Sequence, residues 1–141
     1  MDQLKLFLDQ VKSFLPESRI GLDELTCSIY ARDASLYRVV PKSVLEVENE
    51  NEMCKVIKLA HETKTVLGFR AAGTSLSGQA LTEGVLLIQG KGWRRAEVLN
   101  EGEAIRCEPG LRGAEVNAYL KPYQKKIGPD PASIDAAKIG G

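Results

Sequence analysis

The amino-acid sequence predicts an α+β fold that begins with a small parallel unit. The polarity of residues 43–47 alternates well enough to predict a strand. A helical pattern follows, and a short apolar run lies at residues 66–69. A strand, a helix and a second strand in this order form a right-handed crossover, which pairs the two strands in parallel. The loop after residue 69 therefore leaves the carboxyl end of a parallel strand, where ligands bind in open α/β sheets.

A second group of strand candidates indicates that an antiparallel sheet follows. These candidates are short, and turns that contain glycine separate them: residues 85–89, 96–99 and 104–107. Residues 100–103 suit the turn of a hairpin. We expect two subdomains, a parallel one at about residues 33–80 and the start of an antiparallel one at about residues 81–141. Trp93 is expected to pack at their edge or on the core, without a ligand role.

Start signals and apolar spacing indicate two helices in this region. Asn49 and Glu52 stand at the spacing of a capping box. The helix that follows has one narrow apolar face, made of Met53, Val56, Ile57 and Ala60. A second, short helix is predicted at residues 113–120 and ends before Pro122.

The N-terminal segment, residues 2–15, has the pattern of an amphipathic helix that ends at Pro16. Its apolar residues recur at helical spacing: Leu4, Phe7, Leu8, Val11, Phe14 and Leu15. Because its polar face mixes Asp and Lys, we expect this helix to pack on its own domain rather than on a partner or a membrane surface. Residues 1–32 form a helical lead-in, and the pattern of residues 17–40 is irregular.

The composition is that of a globular protein and argues against several functions. Hydrophobic residues make up 43% and charged residues 27%, and 19 basic residues balance 19 acidic ones. No overall field therefore draws the chain to nucleic acid. The longest apolar run, residues 85–88, is too short to span a bilayer, and the N-terminus lacks the continuous apolar region of a signal peptide. We expect a cytoplasmic protein.

No residue pattern indicates a metal site or a disulfide framework. Cys27, Cys54 and Cys107 are odd in number, widely separated and not part of a C-x-x-C pair, which favours three free thiols. The single histidine, His61, falls late in a predicted helix among Lys and Glu. This position is typical of a solvent-exposed helix residue. The sequence therefore predicts neither a metal ligand nor a catalytic residue within this chain.

The functional prediction depends on the loop of residues 69–79, which reads Phe-Arg-Ala-Ala-Gly-Thr-Ser-Leu-Ser-Gly-Gln. Its small residues allow a ligand to approach the backbone closely, and Gly73 and Gly78 suit a positive φ that turns amide groups inward. Hydroxyl donors and one permanent cation add to these amides: Thr74, Ser75, Ser77 and Arg70. Such a row of donors predicts a site for a diphosphate or a similar anion.

Three better-known motifs do not account for this loop. Gly73 and Gly78 have the spacing of a nucleoside-triphosphate P-loop, but Gln79 and Ala80 stand where Lys and then Ser or Thr are needed. The dinucleotide fingerprint G-x-G-x-x-G and the nucleophile motif G-x-S-x-G are absent from the sequence. A surface turn rich in small residues remains the alternative from composition alone.

A second segment, residues 126–133, reads Lys-Ile-Gly-Pro-Asp-Pro-Ala-Ser and is followed by Lys-Ile-Gly-Gly at residues 138–141. The prolines on both sides of Asp130 favour an extended backbone. The segment is therefore either a rigid linker or a stretch that packs along a planar ring of a ligand. Together with the loop, it resembles the vanillyl-alcohol-oxidase (PCMH) type FAD-binding domain over about residues 33–141. Its motifs are most similar to those of FAD-linked oxidases of the D-lactate and D-2-hydroxyglutarate dehydrogenase kind.

The resemblance implies a cofactor, a site and a reaction. Some relatives bind FAD covalently through a histidine in the loop, and Thr74 stands at that place here, which implies non-covalent FAD. The residues expected to contact the pyrophosphate are Arg70, Ala71, Ala72, Gly73, Thr74, Ser75, Leu76, Ser77 and Gly78. Those expected along the flavin and ribityl portion are Gly128, Pro129, Asp130, Pro131, Ala132, Ser133, Ile139, Gly140 and Gly141. The implied reaction is oxidation of a small D-2-hydroxy acid by the flavin, with the electron acceptor left open.

The chain stops at Gly141 in the middle of the second motif. We therefore expect an N-terminal fragment, catalytically silent alone, with the rest of the antiparallel sheet, a substrate cap and C-terminal domains following in the intact protein. An iron–sulfur cluster is expected only in such a further segment. Two other functions remain open: a non-enzymatic nucleotide-binding or assembly module, and a same-fold reductase that uses NADPH.

Overall fold

A computed structural model describes residues 3–141, which form helices, a four-stranded sheet and a two-stranded sheet. The elements, in chain order, are α1 (Gln3–Val11), β1 (Ile20–Gly21), α2 (Glu24–Ile29), β2 (Ser43–Val47), α3 (Glu50–Thr63), β3 (Leu67–Arg70), β4 (Val85–Gln89), β5 (Ala96–Leu99), β6 (Ala104–Cys107) and α4 (Gly113–Leu120). The predicted α+β class is confirmed. None of the helices within residues 3–141 is long and apolar enough to cross a membrane.

The larger sheet has the strand order β1-β2-β4-β3 and is parallel except at one edge. β4 pairs in parallel with both β2 and β3, while β1 pairs antiparallel with β2. The predicted strand–helix–strand unit is confirmed, but one assignment was wrong. β4, which we expected in the antiparallel part, is the central strand of the parallel unit. Its buried run at residues 85–87 is typical of a parallel strand covered on both faces, and its short length did not reveal this.

The hydrophobic core lies between the larger sheet and the helices α1 and α3. Its buried members are Phe7, Val11, Leu15, Leu45, Val47, Val56, Ala60, Val85 and Leu87. The N-terminal helix thus packs on its own domain, as predicted. Of the segment predicted to be helical, residue 2 lies outside the described residues, and the prediction was wrong for residues 12–15, because α1 ends at Val11.

The start of α3 follows the predicted capping residues with one difference. The Asn49 side-chain oxygen accepts a hydrogen bond from the Glu52 amide at 3.0 Å, as a helix N-cap does. The Glu52 carboxylate returns to the amide of Glu48 at 2.9 Å, one residue before the cap. It also accepts two hydrogen bonds from Arg19, at 2.7 and 2.9 Å. Glu52 therefore joins the helix start to the segment that leads into β1.

Residues 17–40, which we predicted to be irregular, contain two short elements. β1 pairs with β2 over only two residues, Ile20 opposite Leu45 and Gly21 opposite Val44. α2 begins after Asp23, whose carboxylate accepts a hydrogen bond from the Thr26 amide. The irregular prediction was wrong for these residues because strands of two residues and helices of six are too short for a periodic pattern to appear.

The smaller sheet is the predicted hairpin, in which β5 and β6 pair antiparallel across a turn at Asn100–Gly102. Its strand residues are half-buried or exposed, and none is fully buried. Trp93 lies where the hairpin segment meets the larger sheet, and its indole Nε1 donates to the Val47 carbonyl at 2.8 Å. The expected packing of Trp93 at this edge is confirmed. α4 has its predicted bounds and follows the hairpin.

Candidate anion-binding site

The loop that follows β3 lines a cavity of about 190 Å³ at the carboxyl end of that strand. Loop residues and two residues near the end of the chain form its walls: Phe69, Ala71, Ala72, Gly73, Thr74, Ser75, Gln79, Ala80, Lys138 and Gly141. The structure thus brings the loop and the last residues of the second predicted segment to one place. Because the carboxyl ends of parallel strands share one edge of the sheet, this is where a ligand site is expected.

Backbone amides are available for an anion in the first half of this loop. The five consecutive amides of residues 72–76 have no hydrogen-bond partner among residues 3–141. Gly73 and Gly78 have φ values of 72° and 78°, which confirms the predicted conformation of both glycines. The Ser75 hydroxyl accepts hydrogen bonds from the amides of Ser77 and Gln79, both at 3.2 Å, so the second half of the loop closes on itself. A run of unpaired amides next to positive-φ glycines is suited to bind an anion.

Arg70, which was predicted to supply the cation, packs against the backbone of its own loop. Its Nη1 donates to the Arg32 carbonyl at 2.7 Å, and its guanidinium lies 5.5 Å from the centre of the Tyr30 ring. A Cβ placed on Gly73 would lie 2.3 Å from Arg70 Nη2, so the guanidinium occupies the space that a side chain would need. The Gly73 carbonyl also accepts from the Ala34 amide at 3.1 Å. Arg70 stabilises the loop in this arrangement, and its contact with a ligand stays a prediction.

Asp33 places a carboxylate beside this loop. Its Oδ1 accepts a hydrogen bond from the Ser35 amide at 2.9 Å. Burial is the strongest single influence on the pKa of Asp33 and raises it, but Ser35, the nearby Ala80 backbone and the charge of Arg70 together outweigh burial and lower the pKa. The carboxylate therefore stays charged at neutral pH, and its Oδ2 is buried without a hydrogen-bond partner among residues 3–141.

The second predicted segment contributes only its end to this cavity. Residues 128–132 are exposed, and no residue from 128 to 133 lines the cavity. Residues 128–133 follow Ile127, whose amide donates a hydrogen bond to the side-chain oxygen of Asn117 in α4 at 2.9 Å. The expectation that residues 128–133 contact a flavin stays a prediction.

The two final glycines lie close to other parts of the chain, and at Gly140 a side chain would not fit. A Cβ on Gly140 would lie 2.2 Å from Pro109 Cβ and 2.6 Å from the Gln89 side-chain nitrogen. A Cβ on Gly141 would lie 3.3 Å from Ala71 Cβ, so the chain end runs close beside the loop. Gly140 is thus required for packing, while Gly141 forms part of the cavity wall.

A second cavity, of about 320 Å³, adjoins the first because Lys138 lines both. Its other walls are Tyr30, Glu46, Ile88, Gln89, Gly90, Lys91, Arg94 and Gly110. The side-chain oxygen of Gln89 is buried and has no hydrogen-bond partner in the described part of the chain. Lys138 was not among the site residues predicted from the sequence. The sequence feature that could have identified Lys138 is its position at the start of the Lys-Ile-Gly-Gly motif.

Comparison with known proteins agrees with this geometry. Residues 41–141 match the family described as FAD binding domain. The glycolate oxidase subunit GlcD of Escherichia coli K12 is 30% identical over 109 residues, which are 76% of this chain and 22% of that protein. The D-2-hydroxyglutarate dehydrogenase of Pantoea ananatis is 29% identical over 113 residues, which are 77% of this chain and 11% of that protein. The chain therefore spans less than a quarter of the length of either relative.

Solved structures share the fold at lower identity. Alkyldihydroxyacetonephosphate synthase has a TM-score of 0.79 at 18% identity, over 96% of this chain and 29% of that one. The 4-ethylphenol oxidase of Gulosibacter chungangensis has a TM-score of 0.75 at 20% identity, over 97% and 28% of the two chains. The resemblance predicted from two short motifs is confirmed by a match over residues 41–141, which contain both motifs. The chain belongs to the FAD binding domain family, of the PCMH type.

Proposed function

We propose that this chain holds FAD non-covalently, with the diphosphate in the loop cavity, and that the intact protein is an FAD-dependent oxidoreductase acting on a D-2-hydroxy acid. The observation that carries the cofactor's placement is the run of unpaired amides at residues 72–76, in a loop that lines a cavity. Donors that the fold has already ordered bind an anion with little further loss of conformational entropy. This loop is therefore prepared for a diphosphate before the ligand arrives.

The residues around the two cavities fit the size and polarity of this cofactor. Ligand sites for drug-sized molecules measure about 300–1,000 Å³, so the loop cavity of about 190 Å³ suits only part of FAD. The adjoining cavity of about 320 Å³ offers space for the next part. There the unpaired Gln89 oxygen is a suitable acceptor for a donor on the ligand. Because Thr74 offers no imidazole, we propose no covalent bond to the flavin.

The substrate class is inferred from the relatives. Their names refer to glycolate and to D-2-hydroxyglutarate, and both compounds are 2-hydroxy acids. Bound FAD supplies a hydride acceptor for the carbon that carries the hydroxyl group. The residues of this chain bind and orient the cofactor, and we assign none of them a proton transfer. We propose that other parts of the intact protein supply the substrate contacts.

Equilibrium titration of the chain with FAD, followed by flavin fluorescence, tests the cofactor's placement. Ala72→Glu puts a carboxylate into the loop cavity, and Ala72→Gln is its neutral match of similar size. We expect wild-type binding, and an affinity about tenfold or more weaker for Ala72→Glu than for Ala72→Gln, because the added charge repels the diphosphate. Equal affinities of the two variants, or no binding by the wild-type chain, contradict the proposal. A parallel titration with NADPH tests the reductase alternative.

Anaerobic reduction of the FAD-loaded intact protein tests the substrate class. We expect D-2-hydroxy acids to bleach the absorbance of the oxidised flavin and the L enantiomers to leave it unchanged. Bleaching by NADPH alone, or by the L enantiomers alone, contradicts this part of the proposal and leaves the cofactor site unaffected.

A further inference from the structure

We propose that Lys138 is the cation that pairs with the diphosphate in the loop cavity, a role that rests on the proposed function. Lys138 lines this cavity opposite the loop, together with Gly141 from its own segment. Among the described residues that form the cavity wall, Lys138 is the one with a charged side chain. An ammonium group that meets a multiply charged phosphate makes a charge-assisted hydrogen bond, which is stronger than a bond from a neutral donor.

The cation that the sequence suggested is already engaged elsewhere. The Arg70 guanidinium donates to the Arg32 carbonyl, faces the Tyr30 ring and fills the space beside Gly73. A turn of Arg70 toward a ligand would break these contacts and remove the support of the loop. Arg70 is also missing from the residues that form the cavity wall. The loop therefore needs its positive charge from another part of the chain.

The ammonium of Lys138 is free to take this role. It makes no ion pair and no hydrogen bond with any residue between 3 and 141. Its backbone is anchored, since the Ile139 amide donates to the Leu111 carbonyl at 2.8 Å and Lys138 forms an antiparallel bridge with Arg112. The Gly141 amide donates back to the Lys138 carbonyl at 3.2 Å. The side chain thus extends from an ordered backbone, so less conformational entropy is lost when a ligand binds.

An exposed lysine outside both cavities supplies a matched control. Lys125 follows α4, is exposed, and lines neither the loop cavity nor the second cavity. Lys138→Met and Lys125→Met each remove one positive charge and keep an unbranched side chain. A general effect of net charge would change both variants equally, whereas a direct contact would single out Lys138→Met.

Equilibrium titration of the full chain with three probes tests the inference. FAD carries the diphosphate and the flavin, ADP carries the diphosphate alone, and riboflavin carries the flavin alone. For Lys138→Met we expect affinity for FAD and ADP to fall about 10- to 100-fold, the size of one hydrogen bond to a charged group. Riboflavin binding should stay unchanged, Lys138→Arg should retain most of the affinity, and Lys125→Met should change FAD binding less than about threefold.

Each result has a distinct meaning. If wild type binds FAD and Lys138→Met binds it equally well, the inference is overturned while the proposed function stands. An equal loss in Lys125→Met, or a loss of riboflavin binding as large as that of FAD, also overturns it. If wild type binds no FAD, the proposed function itself fails. Thermal unfolding of each variant verifies its fold, and Lys138→Gln replaces Lys138→Met if the latter does not fold.

Discussion

The parallel strands and the hairpin are built from segments of similar length but are buried very differently. β2 and β4 contain Leu45, Val47, Val85 and Leu87, all 1% exposed or less. β5 and β6 have no fully buried residue. Parallel strands are covered on both faces by the connections that join them, whereas a hairpin forms through a local turn and can leave one face uncovered. We therefore expect β2 and β4 to contribute more to the stability of this chain than the hairpin does.

This difference explains the placement of the site. The loop that follows β3 leaves an edge strand that pairs with β4, whose residues 85–87 are buried, so its position depends on the larger sheet. Lys138 and Gly141 come from the segment that follows α4 and reach the loop from the less buried half. We therefore expect the loop to keep its form in variants that weaken the hairpin region.

The largest expected effect tests the comparison with one substitution made in each region. Leu45→Ala should lower the free energy of unfolding by about 2–5 kcal/mol, because it leaves a cavity in a fully buried strand. Leu99→Ala in β5 should cost at most about 1.5 kcal/mol, since Leu99 is only half-buried. Urea unfolding of both variants measures these values. Equal losses would mean that the hairpin is packed as tightly as the larger sheet.

An intermediate effect is expected from Glu52, whose carboxylate meets Arg19 with side chains 14% and 17% exposed. The hydrogen bond from Arg19 is the main cause of the lowered pKa of Glu52. A lowered pKa in the folded state stabilises the protein above the ordinary pKa of 4.5, and this contribution is lost as the pH falls through the lowered value. Glu52→Gln should therefore cost about 1–3 kcal/mol at neutral pH and progressively less in acid.

Glu115 is the matched residue in the less buried region. Hydrogen bonds from Arg112 lower its pKa to about 2, but the Arg112 side chain is 49% exposed. Glu115→Gln should reduce stability less than Glu52→Gln does, because solvent screens the exposed pair. Urea unfolding at neutral pH and below pH 4.5 compares the two variants. A Glu52→Gln effect that is the same at both pH values would contradict the assigned role of the charge.

The smallest effect is expected at the surface of the hairpin. Arg106 Nη1 lies 3.1 Å from Glu97 Oε2, and their side chains are 75% and 61% exposed. Arg106→Gln should change the free energy of unfolding by less than about 0.5 kcal/mol, because water and salt screen exposed charges. The same urea measurements provide the value. A loss above about 1 kcal/mol would show that this surface contributes more than its exposure indicates.

Local signals predicted most elements of the fold and the conformation of two glycines in the loop after β3. The strands at residues 43–47, 85–89, 96–99 and 104–107 and the helix at residues 113–120 have their predicted bounds, and β3 is displaced by one residue. The Asn49 cap and the positive φ of Gly73 and Gly78 were also predicted. These features depend on residues within a few positions of one another, so the sequence reveals them directly.

The sequence by itself determined that a loop of small residues follows a strand and that a related motif ends the chain. Only the tertiary structure decided that β4 is inserted between β2 and β3, that Arg70 turns against Arg32 and Tyr30, and that Lys138 lines the cavity. Strand order and the direction of a long side chain depend on contacts between residues far apart in the chain. A local sequence pattern identifies candidate binding residues, and long-range packing determines which of them face the site.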